Sequence, residues 1–144
     1  MRRTTVIAIL AALAALPADA GMLSRTFRFK PGVQLEVGET TEDGLRLDSV
    51  RFSLPATVGG DNMRTGGLAE VEVSVSNTSQ EGVRSGVAVA VFDDEGRPLG
   101  VSSAGSQITA LKAGRQKTFR MAFDHVNREL YRGTTFLVTV ESRR

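Results

Sequence analysis

Cysteine and tryptophan are absent from this 144-residue chain, and histidine occurs once. Without a thiol there is no disulfide, no thiolate nucleophile and no cysteine-bound metal. A lone imidazole, His125, does not make a multi-histidine metal site by itself. Aromatic residues are sparse, 6% against 41% hydrophobic overall. The core therefore has to be built from Val, Leu and Ala with a few Phe. The length suits one domain, long enough to bury a core of its own.

Strong charge of either sign is also missing, with 18 basic against 16 acidic residues. The first twenty residues read as an address and not as structure. Arg2 and Arg3 make a positive start, Val6 to Leu16 is an unbroken apolar run, and Ala18-Asp19-Ala20 fits the small-residue cleavage pattern. Eleven apolar residues are too few to span a bilayer, which takes about 20. No Cys follows the run, which excludes a lipoprotein-type anchor. The expectation is a signal peptide over 1–20, cleavage after Ala20, and a periplasmic or secreted mature chain, 21–144, with no stable membrane insertion. Cleavage removes Arg2, Arg3 and Asp19, leaving sixteen basic against fifteen acidic residues. That balance does not favour nucleic acid, which calls for a clustered basic surface. Arg25, Arg28 and Lys30 cluster with Phe27 and Phe29, and the expectation from a period of two is Phe in the core and the cations in water.

What is present is β pattern. Val71, Val73 and Val75 alternate with Glu70, Glu72, Ser74 and Ser76, as a strand with one buried face does. Gly86 to Phe92 is almost wholly apolar, Asp93-Asp94-Glu95-Gly96 forms a turn, and Phe119, Met121 and Phe123 alternate again. Leu68 to Phe123 thus predicts four consecutive strands. Upstream, Thr26 to Val37 reads as one edge strand that jogs at Pro31-Gly32, because Pro cannot donate to a ladder. In Leu45 to Leu54 the apolar parity slips between Leu47 and Val50, which predicts a β-bulge near Asp48-Ser49. Leu99 to Gln107 is a Ser-rich edge strand. Asp124 caps a helical turn ending at Gly133, and Phe136, Val138 and Val140 mark the last strand. Seven or eight short strands with turns between them define an all-β antiparallel sandwich.

Motifs with chemistry are few. The Gly-rich stretch Pro55 to Gly67 lacks the frame, the Lys and the following helix of a phosphate-binding loop. Asn77-Thr78-Ser79 matches a glycosylation sequon by chance. Asp93, Asp94 and Glu95 invite a calcium reading, but the alternate ligand spacing and the bidentate Glu of such loops are missing. His125 beside Asp124 does not place base and partner on one strand face. No catalytic residue, cofactor or metal is assigned, and the chain is read as a non-enzyme.

The order VEVSVSN, VAVAVFDDEGRPLG, LKAGRQKTF resembles the FxLYD and related immunoglobulin-like domains of bacterial envelope proteins. There a strand ending in Asn precedes an apolar strand closing in an aromatic-Asp pair, and a Leu-x-Pro-Gly turn follows. Phe92-Asp93 with Gly96, then Leu111, Gly114 and Phe119, match, whereas Ala113 stands where Pro is usual. The resemblance spans about Leu68 to Phe123. It implies an immunoglobulin-like sandwich and an extracytoplasmic module used for interaction; turn and core signals carry fold further than function. Two function classes follow. One is a protein-interaction or envelope-assembly component with an envelope protein partner. The alternative is a small-ligand or metal binder using the loops at 55–67 and 93–96. The candidate contact is the strip Ala88, Ala90 and Phe92, because Val87, Val89 and Val91 are the bulkier inward set on that strand.

Overall fold

The computed structural model describes residues 21–55, 68–106, 109–124, 126 and 129–144. Among the described residues, eight antiparallel strands form two four-stranded sheets packed face to face, with one short 3₁₀ turn at Glu129–Arg132. The strands are β1 (Gly21–Arg28), β2 (Gln34–Thr40), β3 (Leu45–Ser53), β4 (Glu70–Asn77), β5 (Arg84–Phe92), β6 (Pro98–Gly105), β7 (Gln116–Ala122) and β8 (Thr135–Arg143). One sheet runs β1-β8-β5-β6 and the other β2-β3-β4-β7. The class is an all-β sandwich.

The alternation read in the sequence sets the faces. Val71, Val73 and Val75 are fully buried, in register with Phe52, Val50 and Leu47 on β3. On β7, Met121 and Phe119 complete the same inner face. From the opposite sheet, Val87, Val89 and Val91 pair with Val140, Val138 and Phe136. Five of the seven phenylalanines form one cluster of ring contacts. Phe52 lies edge-on to Phe29 and Phe136, with ring centroids 4.7 and 4.9 Å away, and stacks on Phe123 at 6.4 Å. Such pairs add to burial through ring quadrupoles, so five phenylalanines, with Phe27 on Phe136, supply the bulk that Trp would otherwise bring. Leu130 of the 3₁₀ turn is fully buried. It rests near Gly100, where a Cβ would fall 3.2 Å from its Cδ2 and 2.7 Å from Val126 Cγ2.

Two expectations about the first strands need correction. Thr26 to Val37 is not one jogged edge strand. The chain begins pairing at Gly21, turns at Pro31-Gly32 with Gly32 at φ +78°, and crosses to the other sheet, so β1 and β2 are edge strands of different sheets. A shared parity cannot separate these cases, since both strands point their odd residues at one core. Arg25 is the second. It shares the parity of Leu23 and Phe27, not that of Arg28 and Lys30, and so belongs to the inner face at the open edge. There it reaches Glu39 on β2.

The bulge falls where the parity slip placed it. Register shifts between Leu47 and Ser49 against β4, and between Glu36 and Glu39 against β2. Asp48, left unpaired in the ladder, accepts from Arg46 Nε at 2.7 Å and from the Ser76 hydroxyl. The helical turn ending at Gly133 is the 3₁₀ segment Glu129–Arg132, closed by Gly133 N donating to Leu130 O at 3.0 Å, but it starts five residues after Asp124, which is therefore not its cap.

Candidate functional site

The outer faces of the two sheets differ in kind. On the β2-β3-β4-β7 sheet the outward positions are polar and mutually engaged. Glu72 pairs with Arg120 at 2.9 Å, and Ser74 and Thr118 share a hydrogen bond of 2.8 Å. The other sheet is small and apolar at its centre. Ala88, Ala90 and Phe92 sit on its outer face and are half-buried. Their cross-strand partners extend the strip. Ala90 faces Leu137 on β8 and Val101 on β6, and Ala88 faces Thr139 and Ser103. Val101 is 66% exposed.

Side-chain size explains the shape. Gly86 has no Cβ and Ala88 only a methyl, so the sheet surface sinks between their larger neighbours. The result is a shallow depression of about 170 Å³ lined by Gly86, Ala88, Ser103, Thr139 and Glu141. A shallow depression walled by Ser103 of β6 on one side and by Thr139 and Glu141 of β8 on the other, beside the apolar strip, suits contact with another surface better than capture of a small solute. Whether the stretch 56–67 covers Phe92 lies outside the described residues, as does the Gly-rich reading of that stretch.

Leu137 and Val101 were not among the sequence candidates, although each leaves a signal. In Thr135 to Val140 the inward residues are Phe136, Val138 and Val140, so Leu137 is an apolar residue out of phase. Val101 is the one large apolar side chain facing outward in a Ser- and Gly-rich strand.

The acidic turn is built as a hairpin tip. Asp93 is 3% exposed. Its Oδ1 accepts from Glu95 N at 3.0 Å and Arg97 N at 2.9 Å, and its Oδ2 accepts from Arg97 Nε at 2.8 Å. The Arg97 amide above all, then the Arg97 side chain, the Glu95 amide and the guanidinium charge, hold this carboxyl below its ordinary range against the opposing effect of burial. Gly96 closes the turn at φ +75°. Both carboxylate oxygens are thus engaged by protein donors. Among the described residues, no group of three or more His, Asp or Glu side chains is placed to hold a metal ion. His125 lies outside the described residues.

Asn77, the sequon residue, is 1% exposed and structural. Its Nδ2 donates to Glu81 O at 2.6 Å and Leu111 O at 2.8 Å, while its Oδ1 accepts from Ser79 N at 2.9 Å and Ser79 Oγ at 2.7 Å. With both amide hydrogens engaged inside the fold, it ties the β4–β5 turn to the turn before β7.

Among the described residues, no helix is long and apolar enough to cross a membrane. Neither the family models nor the curated proteins compared with this chain give a match.

Proposed function

We propose that this chain is an exported, non-catalytic immunoglobulin-like module that binds an envelope protein through the outer face of the β1-β8-β5-β6 sheet. The observation that carries this reading is the contrast between the two outer faces. One is covered by paired polar side chains, and the other carries, beside its Ser24–Thr139 hydrogen bond, an apolar strip of Ala88, Ala90, Leu137, Val101 and Phe92. A sheet face with no partner gains from polar cover, and apolar strips of this kind mark contact surfaces. Phe92 is the aromatic anchor such surfaces favour.

The immunoglobulin-like assignment is supported by the strand order. β4 and β7 pair in one sheet and β5 and β8 in the other, joined by crossings between layers, as in two-sheet Greek-key sandwiches. The likeness to FxLYD-type domains draws further support from Asn77 and Asp93, which hold turns at the positions where that pattern carries Asn and Asp. Export rests on the leader-like first twenty residues. Ligand or metal binding through 93–96 competes with the hydrogen bonds that already occupy Asp93, so the interaction reading is the one favoured.

A photo-crosslinking residue at position 101 tests it, with position 118 on the opposite outer face as control. Cells carrying the first should yield a discrete envelope adduct that Ala90→Arg abolishes while leaving the melting temperature within a few degrees. Equal adducts from both positions, or an adduct indifferent to Ala90→Arg, would sink the proposal.

A further inference from the structure

Where the sequence pattern sets the leader cut, between Ala20 and Gly21, the fold holds a carboxylate against the nitrogen that the cut would release. Gly21 is the first residue of β1 and is buried. Its N donates to Asp43 Oδ2 at 3.0 Å, across to the β2–β3 turn of the other sheet. Ser142 Oγ lies 3.1 Å from the same Asp43 oxygen and 3.1 Å from Gly21 O. Thr41 Oγ1 lies 2.9 Å from Ser142 Oγ and accepts from Leu45 N at 3.1 Å. Arg144 Nε lies 3.5 Å from Asp43 Oδ1. Besides Asp43 and Arg144, the charged residues near this end of β1 are Glu42 beside Asp43, Glu141 and Arg143 on either side of Ser142, and Arg84 opposite Arg143 on β5. The surroundings select the residue as well. A Cβ on Gly21 would run into Ser142 Oγ and would stand 2.9 Å from Asp43 Oδ2, so the site takes a residue with no side chain.

We propose that Asp43, supported by Ser142 and Thr41, is the binding site for the α-ammonium of Gly21 after leader removal, an inference that rests on the export reading above. A leader peptidase and one water break the Ala20–Gly21 amide. The carboxylate stays with Ala20, and the amine takes a proton and remains with Gly21. The single amide hydrogen becomes three ammonium hydrogens, and a neutral donor becomes a charged one at the same carboxylate. Charge-assisted bonds of this kind are roughly twice as strong as neutral ones. Leader removal therefore strengthens the junction between the two sheets instead of leaving a frayed first strand. The leader pattern comes from residues 18–20 and the carboxylate from the fold, so two independent observations meet at one bond.

The test uses the chain purified from the envelope after export in full-length form, labelled with ¹⁵N-glycine. Mass spectrometry reads the N-terminus, and NMR titration reads the Gly21 amine. The expected result is a Gly21 N-terminus whose amine titrates about one unit, or tenfold, above the ordinary value near 8. Asp43→Asn should return that midpoint to the ordinary value. If Asp43→Asn does not fold, the wild-type titration decides alone. A Gly21 amine with an ordinary midpoint overturns the proposed site and leaves export standing. An N-terminus at Met1 overturns the export reading, and the site with it.

Discussion

Arg25 Nε and Glu39 Oε2 lie 2.6 Å apart across the open side of the sandwich, one on the edge strand of each sheet. Both side chains are substantially exposed, so the pair closes an edge without being buried. Charged residues aimed inward at an edge also discourage pairing with another chain. Exposed pairs contribute little, and a double-mutant cycle of Arg25→Ala and Glu39→Ala should return a coupling below about 1 kcal/mol. The coupling should shrink as salt is raised. A coupling that is larger and insensitive to salt would show that the pair is desolvated.

Opposite faces of β4 should respond very differently to substitution. Val73 is wholly buried, so Val73→Asp places an unpaired carboxylate in the core and should abolish folding at ordinary temperature. Glu72 faces outward to Arg120, and Glu72→Ala should change stability by about 0.5 kcal/mol or less. Urea denaturation of the two variants distinguishes them, and equal losses would mean that the face assignment is wrong.

Removing the Asn77 amide takes one of two donors from Glu81 O and from Leu111 O, which keep Ser79 Oγ and Val83 N, and leaves Ser79 N without its acceptor inside the β4–β5 turn. Asn77→Ala should cost about 2 kcal/mol, the scale of leaving buried partners unsatisfied. Asn77→Asp keeps the acceptor but turns a buried, ionised oxygen onto the Glu81 and Leu111 carbonyls, so at neutral pH its loss should be at least that of the alanine variant. An unchanged denaturation midpoint in Asn77→Ala would show that water replaces the amide.

Asp93 has its carboxyl lowered by the Arg97 and Glu95 amides and by the Arg97 guanidinium. A lowered folded-state pKa contributes stability that is complete above the unfolded value, about 3.9, and is lost as pH falls through the folded value. Denaturation midpoints measured from neutral pH down to about pH 2 should therefore drop in the wild type across that window. In Asp93→Asn the same window should be flatter, from a lower starting point. Parallel curves for the two proteins would remove Asp93 from the acid limb.

Much of the fold was legible from local pattern. Alternation in Val71 to Val75 and in Phe119 to Phe123 fixes which side chains are inward, because successive residues of a strand point to opposite faces. The parity slip in β3 located the bulge, because one extra residue is the least disturbance that returns both apolar sets to one face. The turn at Asp93 to Gly96 was readable because its residue types have few alternatives at those backbone angles. The strip Ala88, Ala90 and Phe92 was legible only as a face of one strand. Its neighbours Leu137 and Val101 come from strands 47 and 11 positions away from Ala90 in register, which alternation within one strand does not report.

Pattern on a single strand says which residues face inward, but not which sheet the strand joins. That is why β1 and β2 looked continuous until the crossing at Gly32 assigned them to different layers. Long-range hydrogen bonds were equally silent. Gly21, Asp43 and Ser142 are ordinary residues in the sequence, and Asn77 looked like a sequon. The sequence by itself determined strand content, facing and turns, since these depend on backbone preference and hydrophobic alternation among near neighbours. Only the tertiary structure decided sheet membership, the inter-sheet pair Arg25–Glu39 and the carboxylate at Gly21. Those depend on which distant segments share the core, and loop closure brings together residues whose separation along the chain carries no local signature.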